Sequence, residues 1–331
     1  MTAATSTKPE TKRWRWGTAR WFVLLFILLG IAGAVFFPPI RPGIELSAET
    51  LGKPLITLPV VGAIGLTNTL VATLLVDLLL IGLVVAVQRA VKNEDSVPGG
   101  IVGAVEAVVD LLYQIAESTA GRWARTIFPY MATTVLVVLL ANWMELIPFV
   151  DSFGRVVPVG AGQTGYLVRS FGPIEALVKT ESGTASGVRY ALVPYVRVAS
   201  TDLNFTIALA LVIMTMVQVT GFRSQGFRYL AKFFQFRNLF RKPFLGLIDV
   251  FVGFLELLQE FFRVISFSFR LFGNLFAGSV LLIVIGSLVP VAAQSGLLLF
   301  ELLIGFIQAL VFGMLTLIFM SMATSRHGSD A

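Results

Sequence analysis

The sequence has no cysteine and a single histidine, His327. The first absence removes disulfide frameworks, thiol nucleophiles, cysteine-ligated zinc and iron–sulfur clusters. The second leaves histidine-based catalysis and metal ligation almost nothing to work with, so no cofactor and no metal is expected. Charge is also scarce. Asp, Glu, Lys and Arg make up 13% of the chain, about half the share found in soluble domains. No loop ends in Gly-Lys-Ser/Thr, which excludes ATP binding by a phosphate cradle of that kind. What fills the chain instead is apolar: 56% of 331 residues are hydrophobic. A soluble fold of that composition would expose too much apolar surface, so lipid is its solvent. Disorder, collagen and coiled-coil classes are excluded by the same numbers. The net charge of +6 fits cytoplasmic loops rather than nucleic-acid binding.

About 20 apolar residues cross a bilayer core roughly 30 Å thick. Residues 21–37 form a first apolar stretch behind Lys12, Arg13, Arg15 and Arg20. It reads either as a signal peptide or as a short retained anchor. Residues 67–87, 127–149 and 203–221 are spans. Residues 101–123 carry Glu106, Asp110 and Glu117 on one helical face, the pattern of an amphipathic helix lying on the membrane surface. Residues 150–200, with eight charges, read as an extramembrane loop. Two apolar runs, 244–289 and 291–323, are separated by Pro290. At 1.5 Å per residue the first would extend about 69 Å as a straight helix, over twice the hydrocarbon thickness. Either it is broken or the pair lies strongly inclined; the lack of proline inside 245–289 favours the inclined hairpin. The expected fold is all-α and polytopic, with 1–66 preceding a membrane domain over 67–331. With an inner N-terminus, Lys and Arg number 16 on inner segments against 7 on outer ones, which places both termini in the cytoplasm.

Charged groups inside these runs are functional candidates, because a mid-bilayer arginine or carboxylate costs roughly 2.5–3.5 kcal/mol on insertion scales. Glu256, Arg263 and Arg270 recur every seven residues, with Glu260 and Asn274 beside them, and form one polar stripe. Gln294, Glu301 and Gln308 make a matching stripe on the next run. Arg263 has acids close by in sequence. Arg270 has only Ser266 and Asn274 one turn away, and arginine cannot shed its proton. Its counter-charge must come from Glu301 or from another chain.

At residues 268–279 the sequence reads SFRLFGNLFAGS, and here it closely resembles the subunit-a family of F-type ATP synthases. Asn142-Trp-Met-Glu145-Leu-Ile-Pro148 resembles a second motif of that family, and Asp202-Leu-Asn204-Phe-Thr206 a third. The similarity extends over roughly residues 67–323. The apolar segment 21–37 and the long loop 150–200 depart from the commonest bacterial pattern.

The resemblance implies a non-catalytic, proton-translocating stator subunit in the bacterial plasma membrane. Its partners would be a rotor ring of small carboxylate-bearing hairpin subunits, the peripheral-stalk subunit b and, indirectly, the catalytic headpiece. Arg270 matches the arginine facing the ring, with Asn274 and Gln308 packed beside it. Glu301, Ser279, Asn142, Glu145, Asp202 and Asn204 match positions of the outer half-channel, and Glu256 a position on the inner exit side. A secondary transporter, with Arg270 binding an anionic solute, is the alternative. It calls for internal repeats and interrupted helices, which the sequence lacks. Gly160-Ala-Gly162-Gln-Thr-Gly165 matches a dinucleotide fingerprint without its βαβ frame and reads as chance.

Overall fold

The computed structural model describes residues 48–52, 56–59, 62–92, 100–147, 150–151, 153–158, 166–171, 174–178, 189–233, 243–288 and 292–325, with six isolated helical positions between 21 and 32. Most of the segment 21–37, the Gly160–Gly165 motif and the Pro290 turn lie outside the described residues. Six long helices carry the architecture: α1 (Asn68–Lys92), α2 (Gly100–Ala120), α3 (Ala124–Trp143), α4 (Leu203–Gln225), α5 (Pro243–Leu288) and α6 (Ala292–Thr324). Among the described residues, five stretches are long and apolar enough to cross a membrane, one of them running through α2 and α3 together.

α5 is one continuous helix of 46 residues. That resolves the alternative left open by the sequence: the helix is unbroken, and at about 69 Å it fits the apolar layer only at a steep slant.

α3 and α6 form the most extensive helix pair, and α4 closes the bundle against both α5 and α6. Their shared core holds Ile127, Met131, Val135, Ala210, Met214, Leu271, Phe312 and Leu317, all nearly inaccessible. Phe267 of α5 meets Phe312 of α6 edge-on at 4.6 Å between ring centres, the favoured aromatic geometry. Gly313 is what lets α3 and α6 come so close. A Cβ there would collide with Val135. In lipid, association depends on packing of this kind, since apolar side chains gain little by leaving hydrocarbon for protein.

The segment 150–200 is more than a connection. β3 (Gly154–Pro158) pairs antiparallel with β6 (Tyr190–Pro194), and β4 (Leu167–Phe171) with β5 (Ile174–Val178). Two three-residue strands, β1 (Ile56–Leu58) and β2 (Gly62–Ile64), form a further ribbon before α1. The membrane body is helical, and these short ribbons lie in the chain segments outside the five candidate spans.

Candidate functional site

Arg270 sits in the middle of α5, where the helix turns its buried side (Phe267, Leu271, Leu275) to the bundle and Phe269 outward. The residue is half-buried. Its Nη2 donates to Ser266 Oγ at 3.4 Å, one turn back, and the group lies 6.0 Å from the Phe267 ring. No carboxylate among the described residues pairs with it. Asn274, one turn further on, is exposed on α5.

A second group of polar residues is buried where α3, α5 and α6 meet. Glu145 lies on the short 3₁₀ turn Met144–Leu146 that ends α3. Its carboxylate is hydrogen-bonded to the hydroxyl of Ser279 on α5, while Ser279 Oγ also lies 3.0 Å from the Leu275 carbonyl. Serine has one proton to give and here two acceptors in reach. If the hydroxyl donates to the carbonyl, the bond to Glu145 requires a protonated carboxyl; if it donates to Glu145, the carboxyl can be ionised. A proton and a hydroxyl rotation are therefore linked at this position.

Glu301 projects from α6 into the same region. It is 6% exposed, and its Oε1 has no hydrogen-bond partner. Gly278 of α5 supplies the space, because any Cβ at that position would collide with the Glu301 carboxylate. One stretch further along α6, Gln308 is 7% exposed, also with an unpartnered Oε1. Buried polar atoms without partners are uncommon in proteins and mark places where water or a proton carrier belongs. Asn142 is fixed from both ends: Nδ2 donates to the Gly305 carbonyl at 3.2 Å, and Oδ1 accepts from Ser200 Oγ at 2.8 Å.

Among the described residues no carboxylate pairs with Arg270, and Asn142, Glu301 and Gln308 are buried in the helical bundle; comparison with known proteins shows the family. The family model of the ATP synthase A chain matches residues 69–321. ATP synthase subunit a of Gloeobacter violaceus is 30% identical over 295 residues, which is 86% of this chain and 98% of the relative. Subunit a of Pseudoalteromonas atlantica is 30% identical over 72% of this chain and 82% of its own length. That of Mycobacterium bovis is 26% identical over 78% and 86%. The chain belongs to the ATP synthase A chain family. It is a multi-pass membrane protein, the non-catalytic, proton-conducting stator subunit of the synthase's membrane sector.

In this A chain the remaining sequence candidates make contacts of their own. Asp202 caps α4, accepting from Asn204 N at 3.0 Å, and its other oxygen accepts from Thr69 Oγ1 of α1 at 3.0 Å. Both oxygens are engaged in holding α1 to α4. Asn204 is exposed on the first turn of α4. Asp151, just beyond α3, adopts a left-handed backbone with φ 62°. Although part of this residue is exposed, protein around the carboxyl pushes it up to about 6, against the opposing pull of Arg197.

Toward the other end of α5, Arg263 Nη1 donates to Glu260 Oε1 at 2.8 Å, and its guanidinium lies 4.7 Å from the Phe319 ring centre. Glu256 is half-buried with an unpartnered Oε2. Beside them, Tyr229 donates to Gln218 at 2.8 Å, and a cavity of about 490 Å³ between α4 and α5 is lined by Thr215, Gln218 and Glu260 among apolar neighbours. Sequence reasoning did not single out Ser200, Thr69, Gln218 or Tyr229. The capping pattern at Asp202 was open to a sequence reading. The others depend on which faces of different helices meet.

Proposed function

We propose that Arg270 faces the carboxylates of a rotor ring, and that Glu301, Glu145, Ser279, Asn142 and Gln308 conduct protons from the outer side toward it. Asp202 and Asn204 mark the outer rim of that path, and Glu256 belongs to the exit on the inner side. Both chain ends lie on the inner side of the bacterial plasma membrane, and the peripheral-stalk subunit b is a further partner. The observation that carries this reading is the Arg270 guanidinium at mid-helix, with which no carboxylate among the described residues pairs.

The physical argument follows from the membrane as solvent. A ring carboxylate facing lipid must be neutral, because its ionised form is too costly there. Close to a fixed cation the ionised form is favoured. An arriving carboxyl therefore gives up its proton near Arg270, and the guanidinium takes the place of water for the resulting anion. Arginine suits the task better than lysine, since it stays charged when desolvated. It also stands as a positive barrier between the outer and inner proton paths. One proton crossing the membrane is worth about 2.3 kcal/mol per 100 mV, and the barrier makes that energy available only through movement of the ring.

Arg270→Ala tests the reading directly. Proton-driven ATP synthesis in membrane vesicles is expected to fall to background while the variant inserts at normal levels. Synthesis at wild-type rates would overturn the assigned role. Purification of the intact complex in mild detergent should bring along a ring of small hydrophobic subunits.

A further inference from the structure

α4 ends at Gln225, and Gly226, with φ 61°, turns the chain into a short 3₁₀ helix, Gly226–Lys232. The turn brings Phe227 back against Phe222, edge-on, with ring centres 5.5 Å apart. Both rings are exposed, Phe227 by 83%. Each is followed directly by an exposed arginine, Arg223 or Arg228, and among the described residues no carboxylate pairs with either. Residues 221–243 contain six Lys and Arg and no acid. The candidate span through α4 runs to Tyr229. These cations and rings therefore lie at the edge of the apolar layer, where basic and aromatic side chains meet lipid headgroups.

Cations at the edge of a span can serve orientation alone. Here they adjoin a groove. Leu211, Thr215 and Gln218 of α4 line the cavity of about 490 Å³ between α4 and α5, and Phe222 is the next residue on that helix face. Leu211, Leu257 and Phe261 in its walls are each at least half exposed, so the groove opens sideways out of the bundle. Of its polar lining residues, Gln218 accepts from Tyr229 and Glu260 accepts from Arg263. What remains is an apolar slot of ligand-pocket size, ending at two phenylalanines and two arginines.

We infer that this groove binds an anionic phospholipid, with an acyl chain between α4 and α5 and the headgroup phosphate on Arg223 and Arg228 beside the two rings. A guanidinium meets a phosphate through paired, charge-assisted hydrogen bonds, and a cluster of basic residues at the membrane edge favours lipids of net negative charge. Two other occupants fit less well. A zwitterionic lipid fills the slot equally but brings its own cation against the arginines. An apolar helix of another chain covers the slot and leaves both arginines unanswered. The site needs only α4, α5 and the turn after α4, and it does not rest on the roles proposed for Arg270 or the proton path.

The test places the intact purified complex in phosphatidylcholine vesicles with a trace of one of two photoreactive probes. One is a phosphatidylglycerol and the other a phosphatidylcholine, both carrying the same diazirine-bearing acyl chain. After photolysis the labelled peptides are mapped. The phosphatidylglycerol probe is expected to label residues 211–218 and 257–264 at least about fivefold more than the phosphatidylcholine probe. Arg223→Gln combined with Arg228→Gln should bring the two probes to within about twofold of each other. Arg223→Lys with Arg228→Lys keeps the charge and should keep most of the preference. Equal labelling by the two probes would overturn the inference, as would a preference that survives in the double glutamine variant. Groove residues left unlabelled by both probes, the result of a neighbouring chain lying over them, would overturn it too. Should the double glutamine variant fail to assemble, the ratio of the two probes on the unaltered complex decides the matter.

Discussion

Arg263 and Arg270 stand two turns apart on the same side of α5, and their surroundings differ in kind. Arg263 has a carboxylate at 2.8 Å and an aromatic ring beneath its guanidinium at 4.7 Å. Arg270 has a serine hydroxyl at 3.4 Å. Both charges are permanent. The first is neutralised within the fold and acts as a fastening between α5 and α6. Among the described residues the second has no carboxylate partner, and the role proposed for Arg270 uses that vacancy. On that proposal, two identical side chains on one helix face divide into structure and function according to whether the fold supplies the counter-charge.

The comparison breaks most visibly by mutation of the two arginines. Arg270→Ala should reduce proton-driven synthesis at least about 100-fold, with little change in thermal stability, because removing an uncompensated cation deprives the fold of little. Arg263→Ala should do the reverse. It takes an ion-pair partner from Glu260, whose side chain is 12% exposed, and the loss of that partner should cost about 1–3 kcal/mol of stability. Synthesis should persist at a reduced rate in the population that remains folded. Equal losses of synthesis in the two variants, at equal stability, would erase the distinction.

Much of this arrangement can be traced in the sequence, and the part that cannot has a physical reason. Apolar length and the position of Pro290 bound the two C-terminal runs to within a residue or so of α5 (Pro243–Leu288) and α6 (Ala292–Thr324). The isolation of Arg270 could be argued from its neighbours in the chain alone, since a helix brings only residues three and four away onto the same face. The contact between Ser279 and Glu145 spans 134 positions, and that between Asn142 and Ser200 spans 58. Such contacts depend on how helices are rotated against each other, which hydropathy does not specify. The ribbons within 150–200 escaped for a different reason. Strands of five residues broken by glycine and proline give too short a period-2 pattern to read.

The buried carboxylates sharpen the contrast further, because Arg270 is accessible from outside the bundle whereas Glu301 is enclosed. Glu301→Gln keeps the size and removes the titrating group. Passive proton uptake by vesicles stripped of the catalytic headpiece should slow about tenfold. Unchanged conduction would move the relay to Glu145. Gly278→Ala keeps the titrating group and disturbs only its seat, since the added methyl collides with the Glu301 carboxylate. The side chain can swing aside, so a two- to fivefold slowing, roughly, is expected. The order of these two effects is the informative part. If Gly278→Ala were the more harmful, the exact placement of the carboxylate would matter more than its proton.

Asp151 offers the smallest effect and the one with a defined pH window. Its carboxyl titrates near 6 in the folded chain against a reference value of 3.8, so the folded state resists ionising it. Below about pH 4 the group is neutral whether the chain is folded or not, and Asp151→Asn should leave stability unchanged there. As pH rises from about 4 to 6 the unfolded chain releases this proton more readily than the folded one, and the wild-type chain loses stability relative to the variant. Above pH 6 the difference should hold constant. Thermal unfolding in detergent, followed from pH 4 to 8, should therefore show Asp151→Asn becoming the more stable form by a small and saturating margin. The partial exposure of the residue keeps that margin small. A variant that was instead destabilised at pH 7 would mean that attraction to Arg197 outweighs desolvation at this position, and that Asp151, like Glu260, has its counter-charge supplied within the chain.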